Sequence, residues 1–158
     1  MTPPRLVLAS ASPARLATLR SAGVAPEVVV SGVDESVVTE DSVPALVGRL
    51  AMLKAEAVAA TLAAGDDPVL VLGCDSLLEL DGEGYGKPRS AEEATERWRR
   101  MRGRSGVLHT GHHLVLVDGP AGSGATRGAI ASTRVHFADV SDAEIAAYVA
   151  TGETWHAG

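Results

Sequence analysis

Apolar residues occur in short bursts whose period changes along the chain. Leu6-Val7-Leu8-Ala9 is continuous rather than alternating, which predicts a strand buried on both faces over Arg5 to Ala9. Ser12 as N-cap, Pro13 in the first turn, and Leu16 and Leu19 on one face predict a helix that Gly23 ends. Val28-Val29-Val30 reads as a second strand leading to the acidic loop Gly32-Val33-Asp34-Glu35. From Ser42 and Pro44 the apolar positions follow the helical period, through Leu46, Leu50, Leu53 and Val58, to about Ala64, where Gly65-Asp66-Asp67-Pro68 stops them. Val69-Leu70-Val71-Leu72-Gly73 is the most apolar burst and predicts the central strand.

The second half is more broken. Leu77 to Leu80 and the turn Asp81-Gly82-Glu83-Gly84 predict a hairpin, followed by Gly86-Lys87-Pro88 and a helix opened by a Ser90…Glu93 capping box and closed near Gly103. Val107 to Val117 and Ala129 to Asp139 predict two long hairpin strands around the flexible run of residues 119–124. Ser141…Glu144 opens a last helix to about Thr151, with Gly152 as its stop. This order predicts an α/β fold, a mixed twisted sheet flanked by helices, in a single domain over residues 1–158.

Composition narrows the classes. With 158 residues, 46% hydrophobic and 22% charged, the chain suits one globular core and not a disordered or fibrous state. No apolar run reaches the roughly 18–20 residues of a membrane span, and the start does not read as a signal peptide, so a cytoplasmic protein with no membrane partner is expected. One cysteine, Cys74, excludes an internal disulfide and a cysteine-built zinc site, and reads as a small core residue. The net charge of −6, from 14 basic and 20 acidic residues, argues against specific nucleic-acid binding and requires a local basic pocket for any anionic ligand.

Several residues could build such a pocket. Ser10-Ala11-Ser12-Pro13-Ala14-Arg15 joins a buried strand to a helix start, where free N–H groups and the helix dipole favour an anion; a plain N-cap serine beside a solvated arginine fits the same residues. Asp75 follows the central strand, the place where open α/β sheets put ligands, although a structural turn aspartate would look the same. If the ends of two strands bring Glu35 and Asp75 together, the pair suits a hard divalent cation. Only two of the 14 basic residues are lysines, Lys54 and Lys87, and a flexible ammonium suits a phosphate. Arg97, Arg99, Arg100, Arg102 and Arg104 read as a solvated helix face balanced by Glu92, Glu93 and Glu96. His109, His112 and His113 alternate across a strand and do not suggest a metal centre.

Together, Leu8-Ala9-Ser10-Ala11-Ser12-Pro13 with Arg15, Val33-Asp34-Glu35, Leu50-Ala51 with Lys54-Ala55, Gly73-Cys74-Asp75-Ser76, Gly86-Lys87-Pro88, Gly103-Arg104, Thr110-Gly111 and Tyr148 to Glu153 resemble the Maf family of nucleoside triphosphate pyrophosphatases. That family is related in architecture to the inosine triphosphatases. The resemblance implies hydrolysis of a nucleoside triphosphate to the monophosphate and pyrophosphate, with a link to cell-division arrest. A nucleotide-binding regulator of cell division with little turnover is the alternative. The resemblance implies Asp75 as proton acceptor, Glu35 and Asp75 at a magnesium or manganese ion, and Ser10, Ser12, Arg15, Lys54 and Lys87 as the triphosphate cradle. By the same resemblance Ser76, after the aspartate, is nearer the threonine of the pyrimidine-preferring members, which implies dTTP and UTP, or modified nucleotides, as substrates. Partners are then the nucleotide and at most a second copy of the chain. Two departures stand out: Ala14 replaces the first of a usual arginine pair, and the family continues past the equivalent of Ala157-Gly158. The expectation is a C-terminally short domain with an uncovered sheet edge that would favour self-association.

Overall fold

The computed structural model describes residues 4–62, 67–118 and 123–153. The continuous apolar bursts pair side by side: β1 (Arg5–Ala9) lies between β2 (Glu27–Val28) and β3 (Val69–Leu80), and all three run parallel. On the far side of β3, β5 (Ser105–Val117) and β6 (Ser123–His136) continue the sheet antiparallel, and the short β4 (Glu83–Tyr85) pairs antiparallel with the end of β3. The strand order is β2-β1-β3-β5-β6, so the sheet is mixed.

Among the described residues four α-helices accompany it: α1 (Pro13–Ser21), α2 (Val43–Ala59), α3 (Ala91–Met101) and α4 (Asp142–Ala150). Each begins at a serine, Ser12, Ser42, Ser90 and Ser141, whose side chain accepts a backbone N–H three residues on. A lost cap of this kind costs about 1 kcal/mol. Ser141 and Glu144 form the reciprocal capping box, whereas the Glu93 carboxylate turns to the Arg89 N–H instead of to Ser90.

Helix α2 lies directly on the sheet because two glycines let it. A Cβ on Gly73 would strike the Ala51 carbonyl and sit 2.8 Å from the Ala55 nitrogen; one on Gly111 would strike Val47 and sit 2.8 Å from the Gly48 nitrogen. Around that contact Val7, Ala9, Ala55, Val58, Val71 and Val115 form the main core. Each valine so buried is worth about 1.5–3 kcal/mol as an upper bound. A second cluster joins α3 to α4 through Ala94, Ile145 and Val149, where Trp98 meets Phe137 and Tyr148 edge-on at 5.9 and 5.7 Å.

The structure corrects several expectations. The predicted central strand and hairpin arm are one strand, so Asp75 lies within β3 instead of following it. The parallel ladder to β1 stops at Ala9 and Gly73, but the antiparallel ladder to β5 carries the chain through Asp75 to Glu79. The second strand is Glu27–Val28, and Val29 only donates its N–H to Leu8. Helix α2 ends at Ala59, five residues before the expected Ala64, which lies outside the described residues, as do Gly65 and Asp66. Strand β6 starts earlier and ends earlier than Ala129 to Asp139. The run expected to be flexible between the hairpin strands falls partly on residues 119–122, and the chain end on Ala157-Gly158, both outside the described residues.

Candidate active site

The ends of β1 and of the parallel part of β3, the turn after β2 and the loop after β4 face one another across a cleft of about 1150 Å³. All seven candidate residues, Ser10, Ser12, Arg15, Glu35, Lys54, Asp75 and Lys87, line it. They arrive from separate elements, so their meeting is a product of the fold and not of proximity in sequence.

At the floor, Asp75 leaves β3 on the face that α2 covers. An ionised carboxylate there needs a partner. Lys54, one helical turn beyond the Ala51 contact, supplies it: Nζ donates to Asp75 Oδ1 at 2.6 Å and reaches Glu35 Oε1 at 2.7 Å. The Lys54 and Asp75 side chains are 11% and 9% exposed, whereas Glu35 is 52% exposed. Burial raises the Asp75 carboxyl above the usual 3.8, an effect that Lys54 opposes, that Glu35's charge reinforces, and that Arg15 opposes.

Glu35 is placed by a short 3-10 turn, Glu35–Val37, which Asp34 caps. Asp34 Oδ1 accepts the Ser36 hydroxyl at 2.6 Å and the Ser36 N–H at 3.0 Å, and these bonds hold its carboxyl below the ordinary value. Of the acidic pair, Asp34 shapes the turn and Glu35 faces the cleft.

At the α1 start, Ser12 Oγ caps the helix by accepting the Arg15 N–H, and the buried Ser10 Oγ accepts both the Ser12 N–H at 3.2 Å and Arg15 Nη1 at 2.9 Å. Arg15 Nη2 donates to Ser76 Oγ at 3.2 Å, and Ser76 shares a hydrogen bond with Thr110 Oγ1 at 2.9 Å. The guanidinium is therefore tied across β1, β3 and β5, and one side of it is fixed before any ligand arrives. Lys87, on the loop after β4, is exposed and lines the same cleft.

Sequence reasoning missed two cations of the cleft, Arg89 and Arg97. Arg97 lines the cleft rather than a solvated helix face, with its side chain only 14% exposed and its guanidinium 5.2 Å over the Tyr85 ring. Its neighbours do serve the surface: Arg99 and Arg102 pair with Asp142, and Arg104 with Asp81. The available signal was position, since Arg97 stands one helical turn after Glu93 in the helix that follows Gly86-Lys87-Pro88. With Arg89 included, five cations (Arg15, Lys54, Lys87, Arg89, Arg97) face three carboxylates (Glu35, Asp75, Glu93) in the cleft, a local excess in a chain of net charge −6. Cys74 is buried beside the floor, and burial pushes its thiol up. His109 is held between Glu79 and Ser132, at 2.6 and 2.7 Å.

The family described as Maf-like protein matches residues 5–158. A nucleoside triphosphate pyrophosphatase of Salinispora tropica is 60% identical over 152 residues, which cover 96% of this chain and 66% of that protein. One from Streptomyces coelicolor is 55% identical over 154 residues, covering 96% and 71%. The chain thus spans about two thirds of the length of these relatives. Among solved structures, a HAM1 protein from Coxiella burnetii shares the fold, with a TM-score of 0.53 at 17% identity over 87% of this chain and 75% of that one. The match along residues 5–158 and the identity to these relatives place the chain in the Maf family.

Proposed function

We propose that the chain is a hydrolase that converts a nucleoside triphosphate to its monophosphate and pyrophosphate, with Asp75 as general base. The observation that carries this reading is the buried Asp75–Lys54–Glu35 array at the floor of a cleft whose walls are cationic. The name shared by the curated relatives supports the same reaction.

Lys54 holds Asp75 Oδ1, so Oδ2 is the oxygen that takes the proton. Burial makes this carboxylate a stronger base than an exposed aspartate, and Lys54 favours its ionised form. A water losing its proton to Asp75 attacks the α-phosphorus, the bond to the bridging oxygen breaks, and pyrophosphate leaves. Arg15 and Lys87 neutralise charge on the phosphates, and Ser10 and Ser12, which already accept hydrogen bonds, keep their O–H groups to donate.

A divalent metal belongs to the proposal. Lys54 Nζ lies 2.7 Å from Glu35 Oε1 and 2.6 Å from Asp75 Oδ1, so magnesium or manganese, ions that take one or two carboxylates and fill the rest of the shell with water and phosphate, would be held by the Glu35 oxygen that Lys54 leaves free and by Asp75 through a bound water. No group of three His, Cys, Asp or Glu comes together among the described residues, so this pair is what the chain would contribute. When bound, the ion would neutralise phosphate charge.

The substrate leans to dTTP and UTP, on Ser76 after the general base. A cytoplasmic, house-cleaning role and a tie to cell-division arrest belong to the same proposal; among the described residues no helix is long and apolar enough to cross a membrane. Pyrophosphate release from a nucleotide panel, with and without Mg²⁺ or Mn²⁺, tests the reading. Metal-dependent release supports it, and nucleotide binding without release at any metal concentration leaves the regulatory alternative in its place.

A further inference from the structure

The loop between β4 and α3 carries Lys87 between a glycine and a proline, and Lys87 is exposed. Ordering a loop residue costs conformational entropy, so a cation on a loose loop loses part of its attraction for a ligand when it is immobilised. Here both flanks of Lys87-Pro88 are tied to one ion pair on α3. Arg97 Nη1 donates to the Gly86 carbonyl, and Nη2 donates to Glu93 Oε1 at 2.7 Å. The other oxygen of the same carboxylate, Glu93 Oε2, accepts the Arg89 N–H at 2.8 Å. The Arg97 guanidinium also covers the Tyr85 ring, at the end of β4.

We propose that Glu93 and Arg97 form a clamp that presets the 86–89 loop so that Lys87 meets an anionic phosphate without ordering cost. The inference rests on Lys87 contacting the triphosphate. Arg97 commits one N–H of Nη1, one N–H of Nη2 and one face of its guanidinium to the chain itself, and these bonds hold the two flanks of Lys87, so its role is that of a positioning residue acting through Lys87. A helix is a suitable base for such a brace because it is rigid where the loop is not. The i,i+4 spacing of Glu93 and Arg97 lets the pair form within α3 without help from the loop.

The test uses the full chain with UTP and Mg²⁺, in four variants: Arg97→Gln, Glu93→Gln, Lys87→Ala and the Arg97→Gln/Lys87→Ala double. Arg99→Gln, on the same helix but paired at the surface, is the control. KM and kcat are measured together with amide exchange at Arg89. The clamp predicts that Arg97→Gln and Glu93→Gln each raise KM about tenfold with kcat within about twofold, and speed exchange at Arg89. Arg99→Gln leaves both unchanged. In the double variant KM equals that of Lys87→Ala alone, because the clamp has nothing left to position. Effects that multiply in the double variant overturn the proposal, since Arg97 would then meet the ligand itself; unchanged KM or unchanged Arg89 exchange in Arg97→Gln overturns it too. If Lys87→Ala alone leaves KM at the parent value, the cradle reading fails and the clamp fails with it, a result distinct from a normal Lys87→Ala defect with multiplying effects.

Discussion

Replacing Lys54 with methionine keeps the length of the side chain and removes its charge, leaving Asp75 buried against α2 without a counter-ion. The Asp75 side chain is 9% exposed, so water cannot take over the role of the ammonium, whereas Glu35, at 52%, is solvated and loses little. Breaking one partner of a buried pair typically costs about 3–5 kcal/mol. At about 2–4 °C per kcal/mol for a domain near this size, the melting temperature should fall by roughly 6–20 °C at neutral pH. The loss is pH-dependent, and its sign follows from the raised Asp75 pKa. A carboxyl raised by folding contributes stability that is fully present below its unfolded value near 3.8 and is lost as pH rises through the folded value. Without Lys54 that folded value rises further, so the gap between parent and variant should be small in acid and widen toward neutral pH. The Lys54→Met/Asp75→Asn double should regain most of the loss, because it removes the orphaned charge. Calorimetric melts at pH 4 and pH 8 check this. A gap of less than about 2 °C at pH 8, an equal gap at both pH values, or a double variant as unstable as the single one would refute the reasoning.

Other expectations follow from the same geometry. Gly111→Ala should lower stability by at least about 1–3 kcal/mol, because its Cβ would strike the Val47 backbone, while Gly82→Ala, where no atom lies within 4 Å of the added carbon, pays only for its positive φ; urea midpoints compare the two. In the metal-free chain the Asp75 carboxyl should titrate above 3.8, read by carbon NMR of the labelled side chain, and a midpoint at or below that value would contradict the burial argument. Cys74 should resist iodoacetamide in the folded chain and react once the chain is unfolded, since it is 4% exposed and burial raises its thiol pKa.

Much of the fold was readable because burial on both faces leaves unbroken apolar runs, as in β1 and the first half of β3, and because serine caps mark all four helix starts. Where a residue obeys a long-range partner, the pattern misleads. Asp75 and Ser76 looked like the end of a strand, since a charge inside a buried strand is costly; Lys54, 21 residues away, removes that cost, and the ladder to β5 holds the strand straight on. The exposed residues along β6 left its first half without an apolar signature, so only its pairing with β5 defines it. In the cleft, charged and hydroxyl residues next to glycines and strand ends stood out individually. Their convergence did not, because Glu35, Lys54 and Asp75 come from three elements. Arg97 was hidden by its own neighbours: five arginines within eight residues look alike in sequence, and only the side of α3 that faces Gly86 tells one from the others.

The claim that Asp75 directs water to the α-phosphorus is tested most directly by hydrolysing UTP with Mg²⁺ in ¹⁸O-labelled water, using the parent chain and Asp75→Asn, and weighing both products. The account predicts UMP and pyrophosphate, with the label on UMP alone, and an Asp75→Asn chain that still binds UTP but does not turn it over. Label on pyrophosphate, release of UDP and phosphate, or an unchanged rate in Asp75→Asn would contradict it.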